Sequence, residues 1–242
     1  MDMRDITFQD CVELQDCFLF DGRFSPFEKV KDFRTYYPHV LIGEIGGLFN
    51  FSCKLVRSPN PYDEQIEDEC ADIFIYLLLF GRMLEIHDQK RVLGLVDKHW
   101  TNPVNTVHTE DGYYNQCKEM IEKVLCFLKP GKEHYYNDGY FYEIFSSLQQ
   151  VSRFITKQDW QYIINKFHHQ VIQKYTDVNC FTVDGLYKGS FRINIDGLLS
   201  FISNVGMELP EKRVDFLNRV KVLQSSFWPA LTSGKSKKGA NT

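Results

Sequence analysis

The chain has 242 residues, with 28 Lys+Arg against 32 Asp+Glu and a net charge of −4. That balance excludes a basic surface that would hold a nucleic acid broadly, while a local phosphate site remains open. Hydrophobic residues make up 43% and aromatics 15%, which excludes a disordered composition and allows a sizeable core in one large or two small domains.

Ser25-Pro26-Phe27-Glu28 is a capping box with proline at the first helical position. It predicts a helix to about Tyr36, broken by Pro38. A second helix is expected from His39 to Val56, with Ile45, Leu48, Ser52 and Leu55 on one face. Arg57 to Pro61 is a turn, and Asn60-Pro61 opens a third helix to about His87. That helix is polar to Glu69, then apolar all round from Ile73 to Phe80, so its second half should be deeply buried. A fourth helix, Glu110 to Leu128, repeats Tyr113, Cys117, Met120, Ile121, Val124 and Leu128 at helical spacing. Pro130-Gly131 ends it and marks the expected domain boundary. Beyond it, Thr156 to Asp159 is a weaker cap before Trp160, Ile163, Ile164, Phe167, Val171 and Tyr175. Residues 180 to 195 alternate around Asp184-Gly185 and suggest a hairpin. Asp196 is the expected cap of a short helix ending near Gly206. Pro210 to Trp228 closes the pattern, before a small, basic, polar tail over 233–242. The expectation is an all-α protein: a helical domain over 1–130, a mostly helical extension over 131–232, and a frayed end.

The chemistry concentrates in Glu44-Ile45-Gly46-Gly47 and in Glu69-Cys70-Ala71-Asp72. Positions i and i+3 share a helix face, so Glu69 and Asp72 point the same way. Asp72 borders the most apolar stretch of the chain, where a carboxylate needs a partner, since desolvating it alone costs several kcal/mol. A hard divalent cation with oxygen ligands, such as Mg²⁺, is such a partner. If the two helices pack antiparallel across their short turn, Glu44 approaches the Glu69/Asp72 pair. Acids in the first turns also complement the helix macrodipole, which accounts equally for Asp63, Glu64, Glu67, Asp68 and Glu69, but Asp72 lies too deep for that. Gly43, Gly46 and Gly47 each cost about 1 kcal/mol relative to Ala inside a helix. Gly43 and Gly47 make a smooth patch that serves either close helix packing or the approach of a ligand.

These two segments resemble the signature of the all-α nucleoside triphosphate pyrophosphohydrolases, the MazG-like superfamily that includes dimeric dUTPases and dCTP pyrophosphatases. The family carries E-x-x-E on one helix and E-x-x-D on the next. Glu44 to Leu48 is similar to the first half. Glu69 to Asp72, followed by Ile73 to Leu77, is similar to the second half and its apolar tail. The likeness spans residues 25 to 130, and the second Glu of the first motif is Gly47 here. The resemblance implies a MazG-like bundle, Mg²⁺ held by Glu44, Glu69 and Asp72, and cleavage of a nucleoside triphosphate to a monophosphate and pyrophosphate. It also implies a homodimer, because two helix pairs complete a four-helix layer, although the C-terminal half of one chain could cover the same surface. Lys54 stands where relatives place a phosphate-binding base, with Arg57 nearby, and His39 and Tyr37 precede the Glu44 helix as base-pocket candidates. Three carboxylates suffice for one Mg²⁺, which keeps waters and phosphate oxygens as ligands. Loss of the fourth ligand equally suggests a catalytically impaired descendant that binds a nucleotide or a protein partner.

Other signals carry less. Gly234-Lys235-Ser236 lacks the first glycine of a phosphate loop, which would fall at Pro229. His168-His169 are adjacent and cannot share one helix face. Tyr135, Tyr136, Tyr140, Phe141 and Tyr142 suit helix packing better than base stacking. Cysteines at 11, 17, 53, 70, 117, 126 and 180 are odd in number with no C-x-x-C pair, the usage of a reducing compartment. The opening Met1 to Asp5 is acidic where a signal peptide is basic. The longest apolar run, Ile73 to Phe80, is far short of the ~20 residues that span a bilayer. A cytoplasmic protein with no membrane and no nucleic-acid partner is expected.

Overall fold

A computed structural model of the chain describes residues 5–19, 33–57, 63–88, 92–98, 110–129, 138–156, 164–165, 168, 172, 176–177 and 194–233. The protein is all-α. Its described helices are α1 (Phe8–Leu19), α2 (Phe33–Arg57), α3 (Asp63–Asp88), α4 (Leu93–Lys98), α5 (Glu110–Phe127), α6 (Asp138–Thr156), α7 (Ile195–Asn204) and α8 (Glu211–Ser233). Ile164, Asn165, His168 and Ile172 are also helical, and no strand occurs among the described residues. None of the described helices is long and apolar enough to cross a membrane.

The chain divides into two units. One comprises residues 6–9 and 30–168, and the other 1–5, 10–29 and 169–242. The boundary expected at 130 falls inside the first unit, because α5 and α6 pack on each other across it.

Four long helices build the first unit. The helix α2 packs on α3 and α5, and α6 packs on α5 and α3, which closes a four-helix layer within one chain. The apolar run of α3 lies at its centre. Ile73, Phe74, Ile75, Leu77, Leu78 and Phe80 are buried, while Tyr76 and Leu79 are half-buried. The helix α5 turns Tyr113, Cys117, Met120, Val124 and Phe127 inward, and α6 turns in Phe141, Ile144, Phe145, Leu148 and Val151. Both sets repeat every three or four residues, the spacing of one helix face. Each such side chain contributes about 1.5–3 kcal/mol by leaving water. Phe80 is the aromatic hub. Its ring centroid lies 5.0 Å from Phe127, 6.0 Å from Tyr37 and 6.4 Å from Phe141. Gly81 permits this approach, since a Cβ there would stand 2.5 Å from Phe141 and 2.6 Å from Leu93.

The structure corrects the break expected at Pro38, which lies inside α2. A proline beyond the first helical turn removes one backbone hydrogen bond and costs ~3 kcal/mol. The same inward stripe runs on both sides of it, through Tyr37, Leu41, Ile45 and Leu48, all at most 2% exposed. Stopping at Pro38 would forfeit part of that burial. Ser52 and Leu55 have side chains outside the described part of α2. The capping box at 25–28, the Asn60-Pro61 start, the Pro130-Gly131 stop, the cap at 156–159, most of the expected hairpin and the tail beyond Ser233 also lie outside the described residues.

In the second unit, Asn194 rather than Asp196 caps α7. The Asn194 side-chain oxygen accepts from the Gly197 N–H at 3.1 Å, and its own N–H donates to the Cys17 carbonyl at 2.8 Å. Asp196 sits in the first turn and pairs with Lys221 of α8 at 2.5 Å. That pair is exposed on both sides and adds little. Pro210 opens α8 as expected by accepting from Arg213 and Val214, and the helix continues past Trp228 to Ser233. The helix α1 was not anticipated, although Phe8, Cys11, Leu14 and Cys17 are buried at three-residue spacing.

Phe80→Ala removes the hub ring. It should lower stability by about 3–5 kcal/mol, read as a shift in the urea midpoint.

Candidate active site

The helices α2 and α3 pack side by side, and one close contact marks their register. Glu69 of α3 lies directly on Gly47 of α2. A Cβ added to Gly47 would stand 2.6 Å from Glu69 Oε2 and 2.9 Å from its Oε1 and Cδ. The Tyr37 contact with Phe80, 6.0 Å between centroids, lies further along the same pair and shows that the helices run antiparallel. Glu44, one turn before Gly47 on α2, therefore lies toward the Asp72 end of this stretch.

The charges agree with that placement. Burial first, then the like charges of Glu44, Asp72 and Asp68, push the Glu69 carboxyl above its ordinary value, and Lys54 pulls it back. Burial also raises the Tyr76 phenol, followed by the influence of Glu44, Tyr36 and Asp72. Glu44 and Asp72 act on both groups, so a half-buried row of Glu44, Glu69, Asp72 and Tyr76 lines the α2/α3 seam. Such a row is negative and oxygen-rich, the surroundings in which a hard cation is bound.

Support for the row comes from behind. The buried Tyr113 hydroxyl of α5 donates to the Leu48 carbonyl at 2.5 Å, next to Gly47. Cys117 shares a hydrogen bond with Tyr113, yet burial still pushes its thiol up to about 12. Burial likewise raises Cys70, beside Glu69. These thiols stay protonated and act as packing groups.

The glycines separate into two kinds. Gly47 is filled by the Glu69 carboxylate. At Gly43 and Gly46, no atom of the described residues lies within 4 Å of where a Cβ would stand. Close packing among the described helices therefore explains neither.

The remaining candidates fall differently. Lys54 is half-buried, with its Nζ 4.5 Å from the Phe51 ring centre, and it acts on Glu69. Arg57 closes α2, but its side chain lies outside the described residues. His39 is exposed, and its Nδ1 lies 2.6 Å from the Thr35 carbonyl of its own helix, which turns it away from the carboxylate row. Tyr37 is 2% exposed and packed on Phe80, so it belongs to the core rather than to a base pocket. Glu67 is buried two residues from Glu69, on another face of α3. His168 is buried, with Nδ1 2.8 Å from the Ile164 carbonyl. Tyr76 was missed in the sequence because it hides within an apolar run, although its position one turn after Asp72 was a usable signal. The Tyr113–Leu48 bond joins residues 65 apart, and no local pattern announces it.

A second polar cleft of about 610 Å³ lies between α5 and α6, lined by Gln116, Glu119, Lys123, Glu143, Ser146 and neighbours. Within it Lys123 pairs with Glu143.

Among the described residues, no three His, Cys, Asp or Glu side chains stand at metal-holding geometry. The donor set of Glu44, Glu69 and Asp72 nevertheless fits a hard cation in kind. All donors are carboxylate oxygens, they are half-exposed, and their mutual repulsion at Glu69 is what a cation relieves. The chain matches no protein-family model, no curated protein and no solved structure.

Two predictions follow from the packing. Gly43→Ala and Gly46→Ala meet no atom of the described residues, so each should raise stability by about 0.5–1 kcal/mol through helix propensity, measured by chemical denaturation. Glu69 holds its proton more tightly folded than unfolded. As pH rises from the ordinary value of 4.5 to its raised value, the folded state carries more protons, so stability falls across that window and then levels. The wild type should lose more thermal stability over this rise than Glu69→Gln, and identical profiles would contradict the assignment.

Proposed function

We propose that the protein is a Mg²⁺-dependent nucleotide pyrophosphohydrolase, cleaving a nucleoside triphosphate to a monophosphate and pyrophosphate. The observation that supports this is that Glu44 and Asp72 both act electrostatically on Glu69, whose carboxyl is raised by burial first and by those like charges next. The resemblance to the MazG-like pyrophosphohydrolases assigns these same residues as Mg²⁺ ligands.

In this proposal, Glu44 from α2 and Glu69 and Asp72 from α3 would hold the ion. Bound there, Mg²⁺ supplies charge neutralisation for the phosphate oxygens and an acidified water. The protein's own groups do the rest. Lys54 presents ammonium donors to a phosphate at its end of the seam. The bare backbone at Gly43, with no described atom within 4 Å of where a Cβ would stand, leaves room for the polyphosphate next to Glu44. The α5/α6 pair completes the four-helix layer within one chain, so the site needs no second subunit to close its core.

A second proposal has its own observation. Gly47 carries no carboxylate and its notch is filled by Glu69, which favours a descendant that binds a nucleotide or a protein partner without turnover. Installing the absent acid with Gly47→Glu requires Glu69 to swing away, so that variant alone does not rebuild a four-carboxylate site.

The test is pyrophosphate release from a panel of nucleoside triphosphates with Mg²⁺. At least one should be turned over, and Asp72→Asn should slow it by about 10²-fold or more. Nucleotide binding by calorimetry with no release across the panel would instead establish the non-catalytic alternative.

A further inference from the structure

The seam has two unlike ends. Lys54 occupies one, beyond the Gly47–Glu69 contact. At the other end stand two phenols. Tyr76 lies one turn past Asp72 on the same face of α3, and Tyr36 lies in the first turns of α2. Two ring contacts place Tyr36 at this end. Tyr37 packs on Phe80 at 6.0 Å, and Tyr36 stands T-shaped on Tyr37 at 5.3 Å. Tyr36 still keeps 46% of its surface exposed, while Tyr76 is half-buried beside the carboxylates. The electrostatic influence of Tyr36, Glu44 and Asp72 on Tyr76 agrees with this arrangement.

The spacing has a natural ligand length. At 1.5 Å of rise per residue, Tyr76 lies about 6 Å along the axis from Asp72 and about 10 Å from Glu69. That is the reach of a nucleoside between its base and its first phosphate. Neutral phenols bind phosphate poorly, but they offer a π-face and a hydroxyl donor. A ligand complementary to both ends is flat and aromatic at one extremity and polyanionic at the other.

Resting on the pyrophosphohydrolase proposal, we infer that Tyr36 and Tyr76 form the nucleoside-reading end of the seam. Tyr36 stacks on the base, Tyr76 donates a hydrogen bond to the nucleoside, and the polyphosphate runs past Glu44, Asp72 and Glu69 toward Lys54. Selectivity for nucleotides over bare polyphosphate then resides in Tyr36 and Tyr76, and in neither His39 nor Tyr37.

The experiment compares the binding of a nucleoside triphosphate and of inorganic tripolyphosphate to the full chain, both with Mg²⁺, by calorimetry. Tyr36→Ala should weaken nucleotide binding about tenfold and leave tripolyphosphate unchanged. Tyr76→Phe, which keeps the ring and its packing, should weaken nucleotide binding about fivefold with tripolyphosphate again unchanged. Equal effects on both ligands, or no effect on either, would overturn the inference while leaving the polyphosphate site standing. A wild type that binds neither ligand would overturn the underlying proposal and this inference together. Circular dichroism of both variants separates a lost contact from a lost fold.

Discussion

Glu69 rests on the backbone of Gly47, and that contact sets how α2 and α3 meet along their polar face. Any side chain at position 47 would push the carboxylate outward. With glycine there, Glu69 settles among Glu44, Asp72 and Asp68, where like charge and burial raise it. Folding normally avoids such concentrations of one sign, because they cost free energy at neutral pH. The bundle tolerates this one because its other faces are well made. The apolar run of α3 is enclosed by α2 and α6, and Tyr113 fastens α5 to the stretch of α2 next to Gly47.

The closure of the bundle within one chain bears on how such a site is built. A pair of helices carrying acids on one face and an apolar run on another must cover that run with something. Here α5 and α6 supply the cover, each turning a regular row of large side chains inward. The carboxylate seam is left on the opposite side, free of the requirement to pack. Local rules are broken in the same place: Gly43 and Gly46 stand within a helix with no described atom packed against them, and acids neighbour acids. Departures of this kind concentrate where binding rather than stability sets the residue.

Much of this was legible in the sequence. The bounds of α3 and α5 follow from helical spacing to within a few residues, and the all-α class follows from the same periodicity. That Glu69 and Asp72 lie on one face of α3 was readable because it needs only an i,i+3 pair on a helix. Pro38 misled because proline's local cost is visible in sequence, whereas the burial of Tyr37 and Leu41 that outweighs it is not. Tyr37 was placed in a pocket by position, while its packing on Phe80 depends on residues 43 apart in the chain. Position 130 falls inside one compact unit because α5 and α6 pack on each other, a contact that composition around it does not announce. The place of Gly47 was legible only as a missing acid. That Glu69 fills its notch is a fact of three dimensions.

The central claim is that Glu44, Asp72 and Glu69 share one field that a cation relieves. It is tested most directly by following the Glu69 side-chain carboxyl carbon by NMR across pH, with and without Mg²⁺. The account requires Glu69 to titrate above the ordinary glutamate value in the free protein and to shift downward when Mg²⁺ is present. An ordinary titration that Mg²⁺ leaves unmoved would contradict it.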